Sequence, residues 1–328
     1  MNFTLKTATA CIAGSVMATA AFADGHAQSW DMPMAYAATN YHSEHGVIFA
    51  DKVREYTNGA IDITVHPGGS LFGGGDIKRA IQTGQVPIGE RFMSAHANEA
   101  PLLGWDNLPF IATSYEDNAK LWEAARDTVN AQLADLNLVA LYTCPWPGQG
   151  FYFNKEVASS EDTQGIKFRS YNSATATFAE ELGMIPVQIE AAELSQALAT
   201  GVASAFISSG STGYDRKVWE HLSHYYKVNA WLPRNYVMVN TQAWEALDAD
   251  TQAGLQRAAD ETAASCAAKS AELANFYFDE LAKNGMTVQD AGPDFLTELE
   301  AIGAKMTEEW LETAGADGQA ILDAYNAN

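Results

Sequence analysis

The chain runs twice through an alternation of strand and helix patterns, and this most constrains its fold. The first series extends from IDITVH (61–66), with apolar residues at every second position, to LVALYTC (138–144). The second series starts at FYFN (151–154) and continues through IKFRS, ATATFAEELG, IPVQIE and AAELSQALATG. Strands that alternate with helices indicate parallel pairing, with helices on both faces of each sheet. We therefore predict an α/β protein with two lobes.

Three segments indicate how the two series are joined. The Pro/Gly stretch PWPGQG (145–150) predicts a crossover between lobes, and WLPRNYVMVN (231–240) predicts a return strand toward the first lobe. Residues 248–283 hold almost no Gly or Pro and have apolar residues at helical spacing. A helix of roughly 45 to 55 Å exceeds one small domain. We predict that it braces both lobes.

Helix starts follow from polar residues that precede apolar periodicity. Asp76 is the expected N-cap of the helix DIKRAIQTG, and Asn172 or Ser173 is expected to cap ATATFAEELG. The predicted domains are a leader over 1–23, a first lobe, and a second lobe. The first lobe comprises 24–146 plus about 236–260, and the second lobe 147–235 plus about 261–328 with the C-terminal helices.

The amino-terminal segment is typical of a secretory signal peptide. Lys6 precedes a short apolar stretch, and Ala21-Phe22-Ala23 has the small-x-small pattern of a cleavage site after Ala23. The stretch is too short and too often broken by Thr, Ser and Gly for a membrane anchor. We expect an exported protein outside the cytoplasm, without direct membrane insertion; the resemblance described below implies the periplasm.

Charge and cysteine content limit the partners. The chain has 19 Lys and Arg against 41 Asp and Glu, a formal net charge of −22. Such a surface repels nucleic acid and anionic lipid. Cys144 and Cys266 are predicted to be buried free thiols; a disulfide is chemically permitted in an oxidising compartment, but one distant pair is no scaffold signature.

The usual motifs for cofactors, metals and catalysis are absent or incomplete. PGGSLFGGGD (67–76) lacks a following Gly-Lys-Ser/Thr, so a mobile turn is favoured over a phosphate loop. The pairs His42/His45 and His221/His224 have no obvious third ligand, and we expect solvated helix histidines. The sequence predicts no cofactor, no metal and no catalytic residue; a secreted hydrolase or lyase with scattered residues is the remote alternative.

Arg169 is the cation whose surroundings are most informative. It lies toward the carboxyl end of the predicted strand IKFRS, before a helix. Ligands of open α/β sheets bind outside the carboxyl ends of the strands, where a planar guanidinium can hold a carboxylate with two hydrogen bonds. A surface arginine paired with one of the many acids is the alternative from composition alone.

Four stretches carry a resemblance to a known family: FADKVREYTNGAIDITVHPGGSL, GFYFNKEVASSEDTQGIKFRSYNSATATFAEELG, AELSQALATGVASAFIS and YVMVNTQAWEAL. In this order they resemble the DctP-type solute-binding proteins of tripartite ATP-independent periplasmic (TRAP) transporters. The resemblance implies a two-lobed periplasmic-binding-protein fold with a long brace helix, and delivery of an organic acid to permease subunits. It implies that Arg169 holds the ligand carboxylate.

The chain departs from the sialic-acid binders of that family. Gln149 stands where they carry a hinge-strand arginine, and Phe206, Ile207 and Ser208 replace Gln-Glu-Asn. These changes remove hydrogen-bond partners that a sugar acid needs. We favour a monocarboxylate with an apolar or aromatic body, such as a benzoate-like acid; a C4-dicarboxylate held by Arg169 and Arg91, or a sugar acid, is the alternative. The predicted ligand-binding residues are Arg169, Arg91, Trp146, Gln149, Phe151, Tyr171, Ser208, Ser209 and Tyr41. For Arg91 the alternative is an ion pair with Glu90 or another acid, and for each aromatic residue the alternative is ordinary core packing.

Overall fold

The computed structural model describes residues 27–327, and the predicted leader and its cleavage site lie outside these residues. The strands are β1 (Gln28–Pro33), β2 (Ile61–His66), β3 (Ile88–Phe92), β4 (Leu138–Pro145), β5 (Gly150–Phe153), β6 (Lys167–Ser170), β7 (Ile185–Gln188), β8 (Ala205–Ser208), β9 (His224–Lys227), β10 (Arg234–Asn240) and β11 (Thr287–Asp290). The helices are α1 (Tyr41–Tyr56), α2 (Gly74–Gln82), α3 (Tyr115–Asp135), α4 (Ser173–Glu181), α5 (Leu194–Ala199), α6 (Gly210–Asp215), α7 (Thr241–Glu245), α8 (Ala249–Lys283) and α9 (Pro293–Ala327).

The strands form sheets in two lobes, as predicted. The first lobe contains the pair β1-β2 and the sheet β3-β10-β4; the second contains one sheet in the order β11-β9-β5-β8-β6-β7. Parallel pairing holds for β1 with β2, for β6 with β7 and β8, and for β9 with β11. It is wrong for β10 and β5, which run antiparallel to both of their neighbours. Both strands enter their sheets from the other lobe, and this connection lets them run in the opposite direction.

The two crossing segments lie side by side between the lobes. Trp146 N donates to Pro233 O at 2.7 Å, Gln149 N donates to Trp231 O at 3.0 Å, and Ala230 N donates to Gln149 O at 3.0 Å. The segment after β4 and the segment before β10 therefore form one short hinge. The predicted return strand is β10, which lies between β3 and β4 in the first lobe.

The brace helix is α8, which begins after the N-cap Asp248, whose side chain accepts from Thr251 N. Its 35 residues span about 52 Å. The helix contacts α1 and β4 of the first lobe and α6 and β11 of the second. The segment α9 likewise reaches both cores, since Phe295 packs in the second lobe and Ile321 in the first. It consists of two helices that meet at Gly315, where the backbone is not helical. The predicted lobe boundaries stay a prediction.

The structure corrects the prediction of free thiols, because Cys144 and Cys266 form a disulfide. The bond joins the end of β4 to the middle of α8 across 122 positions of sequence. This pairing depends on the position of α8 against β4. The sequence around Cys144 or Cys266 does not indicate that position. The brace helix is thus fixed covalently beside the hinge.

The predicted helix caps had different outcomes. Helix α2 begins after Gly73, so Asp76 lies inside its first turn and is not the N-cap. The start moves because Gly74 and Gly75 adopt helical geometry despite their low helix propensity. Asn172 caps α4 by accepting from Thr175 N, one of the two predicted residues. The glycine loop before α2 is a turn in which Gly68 and Gly69 have φ of 69° and 70°.

Candidate functional site

Arg169 lies at the carboxyl end of β6 and faces the cleft between the lobes, where only 3% of its surface is exposed. Its Nε donates to the carbonyl of Ile189 at 2.8 Å, and its guanidinium carbon lies 5.1 Å from the centre of the Tyr171 ring. No carboxylate of residues 27–327 forms an ion pair with it. Burial lowers the pKa of the Arg169 guanidinium, since the charge loses contact with water. An anion that enters the cleft meets a positive charge that has no ion-pair partner within residues 27–327.

A chain of hydrogen bonds fixes the side chains around Arg169. Trp231 Nε1 donates to the Tyr171 hydroxyl at 3.1 Å, and this hydroxyl donates to Gln149 Oε1 at 3.4 Å. Gln149 Nε2 in turn donates to Pro147 O at 2.9 Å. Burial raises the pKa of Tyr171, so the phenol keeps its proton. The hinge thereby sets the position of the ring on which Arg169 rests.

Trp146 forms an aromatic wall of the cleft. Its Nε1 donates to Asn235 Oδ1 at 2.8 Å, which fixes the ring plane. The Tyr36 ring meets it edge-on at 4.7 Å, and His42 packs at 4.1 Å. Tyr41 lies behind this wall and donates to Pro145 O at 2.7 Å. The predicted role of Tyr41 in ligand contact therefore does not match its position.

Arg91, at the end of β3 in the first lobe, is compensated by an acid. Its Nη2 and Nη1 reach the two oxygens of Glu190 at 3.2 and 3.4 Å, and its Nε faces His96 Nε2 at 3.4 Å. Glu190 follows β7 in the second lobe, so the ion pair spans the cleft. Burial lowers the pKa of His96 to about 4, which leaves its Nε2 free to accept.

Hydroxyl groups line the side of the cleft formed by β8 and the start of α6. Ser208 Oγ donates to Thr212 Oγ1 at 2.9 Å. Ser209 caps α6, and its Oγ faces Thr212 N at 3.4 Å. These groups supply neutral donors and acceptors opposite the aromatic wall.

The cleft is a concave pocket lined by residues of both lobes. Its lining includes seven of the nine predicted residues: Arg91, Trp146, Gln149, Arg169, Tyr171, Ser208 and Ser209. Phe151 is not among them, because its side chain lies on the face of β5 that packs into the second-lobe core. The lining also includes residues that the sequence analysis missed: Tyr36, Phe92, Glu190, Ala191, Thr212 and Pro233.

Contacts between the lobes surround the cleft. Asn40 Nδ2 donates to Asp215 Oδ2 at 2.7 Å on one side, and Asn172 Nδ2 donates to Asn107 Oδ1 at 2.8 Å on the other. The rings of Phe92 and Tyr171 meet edge-on at 5.4 Å. The two lobes are therefore closed on each other in this structure.

The histidine pairs offer no metal centre. His42 and His45 are buried, contrary to the prediction of solvated helix histidines, because α1 turns them toward the core; His221 is exposed and His224 half-buried. His42 lies close to the two cysteine sulfurs, but these are bonded to each other, and His42 Nδ1 bonds Glu90 at 3.0 Å. The cluster lacks the free thiolates that a metal ion needs.

Comparisons with known proteins identify the family. The family model of the bacterial extracellular solute-binding proteins, family 7 (DctP), matches residues 34–313. The chain belongs to this family. The resemblance seen in the sequence is thereby confirmed, and the members are transporter solute-binding proteins rather than enzymes.

Three relatives of this DctP-family protein are informative. A TRAP solute-binding protein from a marine metagenome, solved with pyroglutamate and described as specific for it, is 78% identical, with a TM-score of 0.91 over 92% of this chain and 99% of its own. DctP6 of Bordetella pertussis, described as binding pyroglutamic acid, is 40% identical, with a TM-score of 0.90 over 92% and 100%. The C4-dicarboxylate-binding protein DctP of Rhodobacter capsulatus is 27% identical over 85% of each chain.

The family also fixes compartment and partners. DctP proteins are periplasmic and deliver small organic acids to membrane permease subunits of TRAP transporters. Within residues 27–327, no helix has the length and apolar character needed to cross a bilayer.

Proposed function

We propose that this protein captures pyroglutamate between its lobes for delivery to a TRAP permease. The observation that carries the proposal is Arg169, a buried guanidinium with no carboxylate partner in the described residues. A monocarboxylate supplies one negative charge and two oxygens for a bidentate contact. The 78% identical pyroglutamate binder supports this choice among monocarboxylates.

The groups of the cleft suit the parts of pyroglutamate. Its carboxylate meets Arg169, while its small flat ring lies against Trp146 and Tyr36. Its lactam carbonyl needs a donor and its N–H an acceptor, and both kinds of group are present on Ser208, Thr212 and Gln149. A benzoate-like acid satisfies the carboxylate and the aromatic wall, but it leaves these polar groups without partners, at about 1 to 3 kcal/mol for each buried group.

Binding works by closure. In an open form water reaches Arg169; the ligand and the turning lobes exclude this water, which strengthens the ionic hydrogen bonds. Contacts such as Asn40–Asp215 and Asn172–Asn107 then stabilise the closed form. The permease can distinguish this form from the open one. The acidic surface opposes long-range attraction of an anion, but salt screens it beyond about 8 Å, so the local arginines decide.

Calorimetric titration of the ligand-stripped protein tests the proposal. The probes are pyroglutamate, cyclopentanecarboxylate with the same ring size and no amide, benzoate, succinate and glucuronate. We expect one equivalent of pyroglutamate to bind unchanged and about 10-fold or more tighter than cyclopentanecarboxylate, because the lactam finds partners. Mass analysis of the copurified compound provides an independent identification. Tighter binding of benzoate or glucuronate, or chemical turnover of the ligand, would contradict the proposal.

A C4-dicarboxylate is the second candidate. A second arginine, Arg91, lies in the same cleft, and the Rhodobacter capsulatus relative is named for such ligands. Tighter binding of succinate than of pyroglutamate would favour it.

A further inference from the structure

The charged side chains of the cleft lining are Arg169, Arg91 and Glu190. Arg169 uses its Nε on a neutral carbonyl, whereas Arg91 directs both terminal nitrogens at the two oxygens of Glu190. Together they leave one net positive charge facing the ligand. A monoanion neutralises this charge; a dianion leaves one negative charge in excess inside a closed cleft, where charge burial is costly.

The Arg91–Glu190 ion pair lies directly against Gly74. A Cβ atom on Gly74 would lie 2.8 Å from Arg91 Nη1 and 2.8 Å from Glu190 Oε2, so any other residue at position 74 would require one of these side-chain ends to shift. Glu190 directly follows Ile189, whose carbonyl holds Arg169. One short segment after β7 thus orients one arginine with a neutral group and the other with a charge.

Other acids near the cleft have partners of their own: Asp215 accepts from Asn40 Nδ2, and Asp106 accepts from Arg234 N. Glu90 precedes Arg91 on β3, but its side chain points to the other face of the strand and bonds His42 Nδ1 at 3.0 Å. Glu99 bonds Lys78 and His96. Within the part of the chain that the structure describes, Glu190 is the acid that lines the cleft.

We propose that Glu190 is a specificity-determining residue, which neutralises Arg91 so that the cleft accepts a monoanionic carboxylate and rejects a dianionic one. The proposal rests on the proposed function and adds the reason why a cleft with two arginines does not select dicarboxylates. Its partner Arg91 acts as a positioning residue for Glu190. Selectivity here is a difference between two affinities, set by an unfavourable charge against the wrong ligand.

Two probes with the same five-carbon diacid chain differ in charge: glutarate is a dianion at neutral pH, and monomethyl glutarate is a monoanion with one added methyl group. Their dissociation constants are measured by titration, or by displacement of pyroglutamate. In the wild-type protein we expect the monoester to bind about 10-fold or more tighter than the diacid. In Glu190→Gln the freed Arg91 should shift this ratio toward the diacid by about 10-fold or more.

Two further variants separate charge selection from a purely structural ion pair. Arg91→Gln with Glu190→Gln again leaves one positive charge, so the charge account predicts that the preference for the monoester returns. A structural role predicts that the double variant behaves like Glu190→Gln or worse. Glu193→Gln removes one acid three positions away, outside the cleft lining, and should keep the wild-type ratio.

The outcomes are distinguishable from failure of the proposed function. If the wild type prefers the monoester but does not bind pyroglutamate, the proposed ligand fails and charge selection stands. If pyroglutamate binds but the two glutarate probes show no measurable difference, charge selection is overturned. An unchanged ratio in Glu190→Gln, or a double variant that keeps the single variant's ratio, would also overturn it. Melting of each ligand-free variant verifies folding.

Discussion

The two arginines of the cleft differ in what holds them. Arg169, from the second lobe, is fixed by a carbonyl and an aromatic ring, and its charge has no ion-pair partner in residues 27–327. Arg91, from the first lobe, is held by Glu190 and faces His96. Two identical side chains at strand ends thus differ in their partners: the charge of Arg91 is paired between the lobes, and the charge of Arg169 is the one that we propose meets the ligand.

Removing the unpaired charge of Arg169 is the most direct test of the difference between the two arginines. In Arg169→Met we expect pyroglutamate affinity to fall about 100- to 1000-fold, since the ligand carboxylate is then buried without a charged partner. Arg169→Lys keeps the charge but loses the planar guanidinium, so its pyroglutamate affinity should lie between those of wild type and Arg169→Met. Calorimetric titration measures both. Arg126→Met, at a half-exposed position outside this cleft, serves as the control. Affinity retained in Arg169→Met would show that another group carries the carboxylate.

Removal of the disulfide tests how much the link between β4 and α8 contributes to stability and to the site. Replacing both Cys144 and Cys266 by Ala should lower the free energy of unfolding by about 2 to 4 kcal/mol, because the bond closes a long loop. Denaturant unfolding under oxidising conditions measures this loss. Pyroglutamate affinity should change much less, since packing in the same cluster still supports Trp146. A larger loss of affinity than of stability would show that the bond positions the site itself.

Removing the compensated charge should have a smaller effect than removing the free one. Arg91→Met leaves Glu190 unpaired in the cleft and opposite in sign to Arg169, so we expect pyroglutamate affinity to fall about 10-fold. Combining it with Glu190→Gln should recover most of the loss. A fall as deep as that of Arg169→Met would mean that Arg91 binds the ligand directly and that the two arginines are equivalent.

The sequence placed both arginines at strand ends that face the cleft, but it did not identify Glu190 as the acid that pairs with Arg91. Arg169 was found because it ends a strand before a helix, and the same rule applied to the next parallel strand, β7, leads to Glu190. Tyr36 follows β1 without any local pattern, so nothing in the sequence marked it as part of the aromatic wall. Phe151 and Tyr41 were selected as aromatic residues around the predicted cleft, with core packing as the alternative. The sequence pattern does not say which face of β5 or α1 meets the cleft.

The fold was predictable to the level of lobes, crossover and brace helix because these follow from periodicity, Pro/Gly stretches and length. The direction of β5 and β10 was not predictable, since it depends on the path between lobes. The disulfide was not predictable either: it depends on the register of α8 against β4, a contact between positions 122 residues apart.

A final prediction concerns His96, which faces Arg91 Nε, whereas Arg169 Nε faces a backbone carbonyl. Burial lowers the pKa of His96 to about 4, with Arg91 and Lys78 acting in the same direction against the bond to Glu99. The unfolded chain, with a histidine pKa of about 6.5, then binds more protons than the folded one between these values. His96 therefore contributes a loss of stability as pH falls through about 6.5 toward 4, on the order of 1 to 3 kcal/mol in total.

His96→Gln keeps a side-chain acceptor near Arg91 Nε but does not titrate. The difference in unfolding free energy between wild type and His96→Gln, measured from pH 7.5 to 4.5 (roughly the window that the two pKa values define), should favour the variant increasingly as pH falls. Taking the difference cancels the opposite trend of Asp106, whose pKa is raised to about 7 by burial in both proteins. If the difference in unfolding free energy stays constant with pH, His96 is not held neutral in the folded protein. The two arginines would then no longer differ in pH dependence, because the neighbour of Arg169 Nε is a backbone carbonyl, which does not titrate.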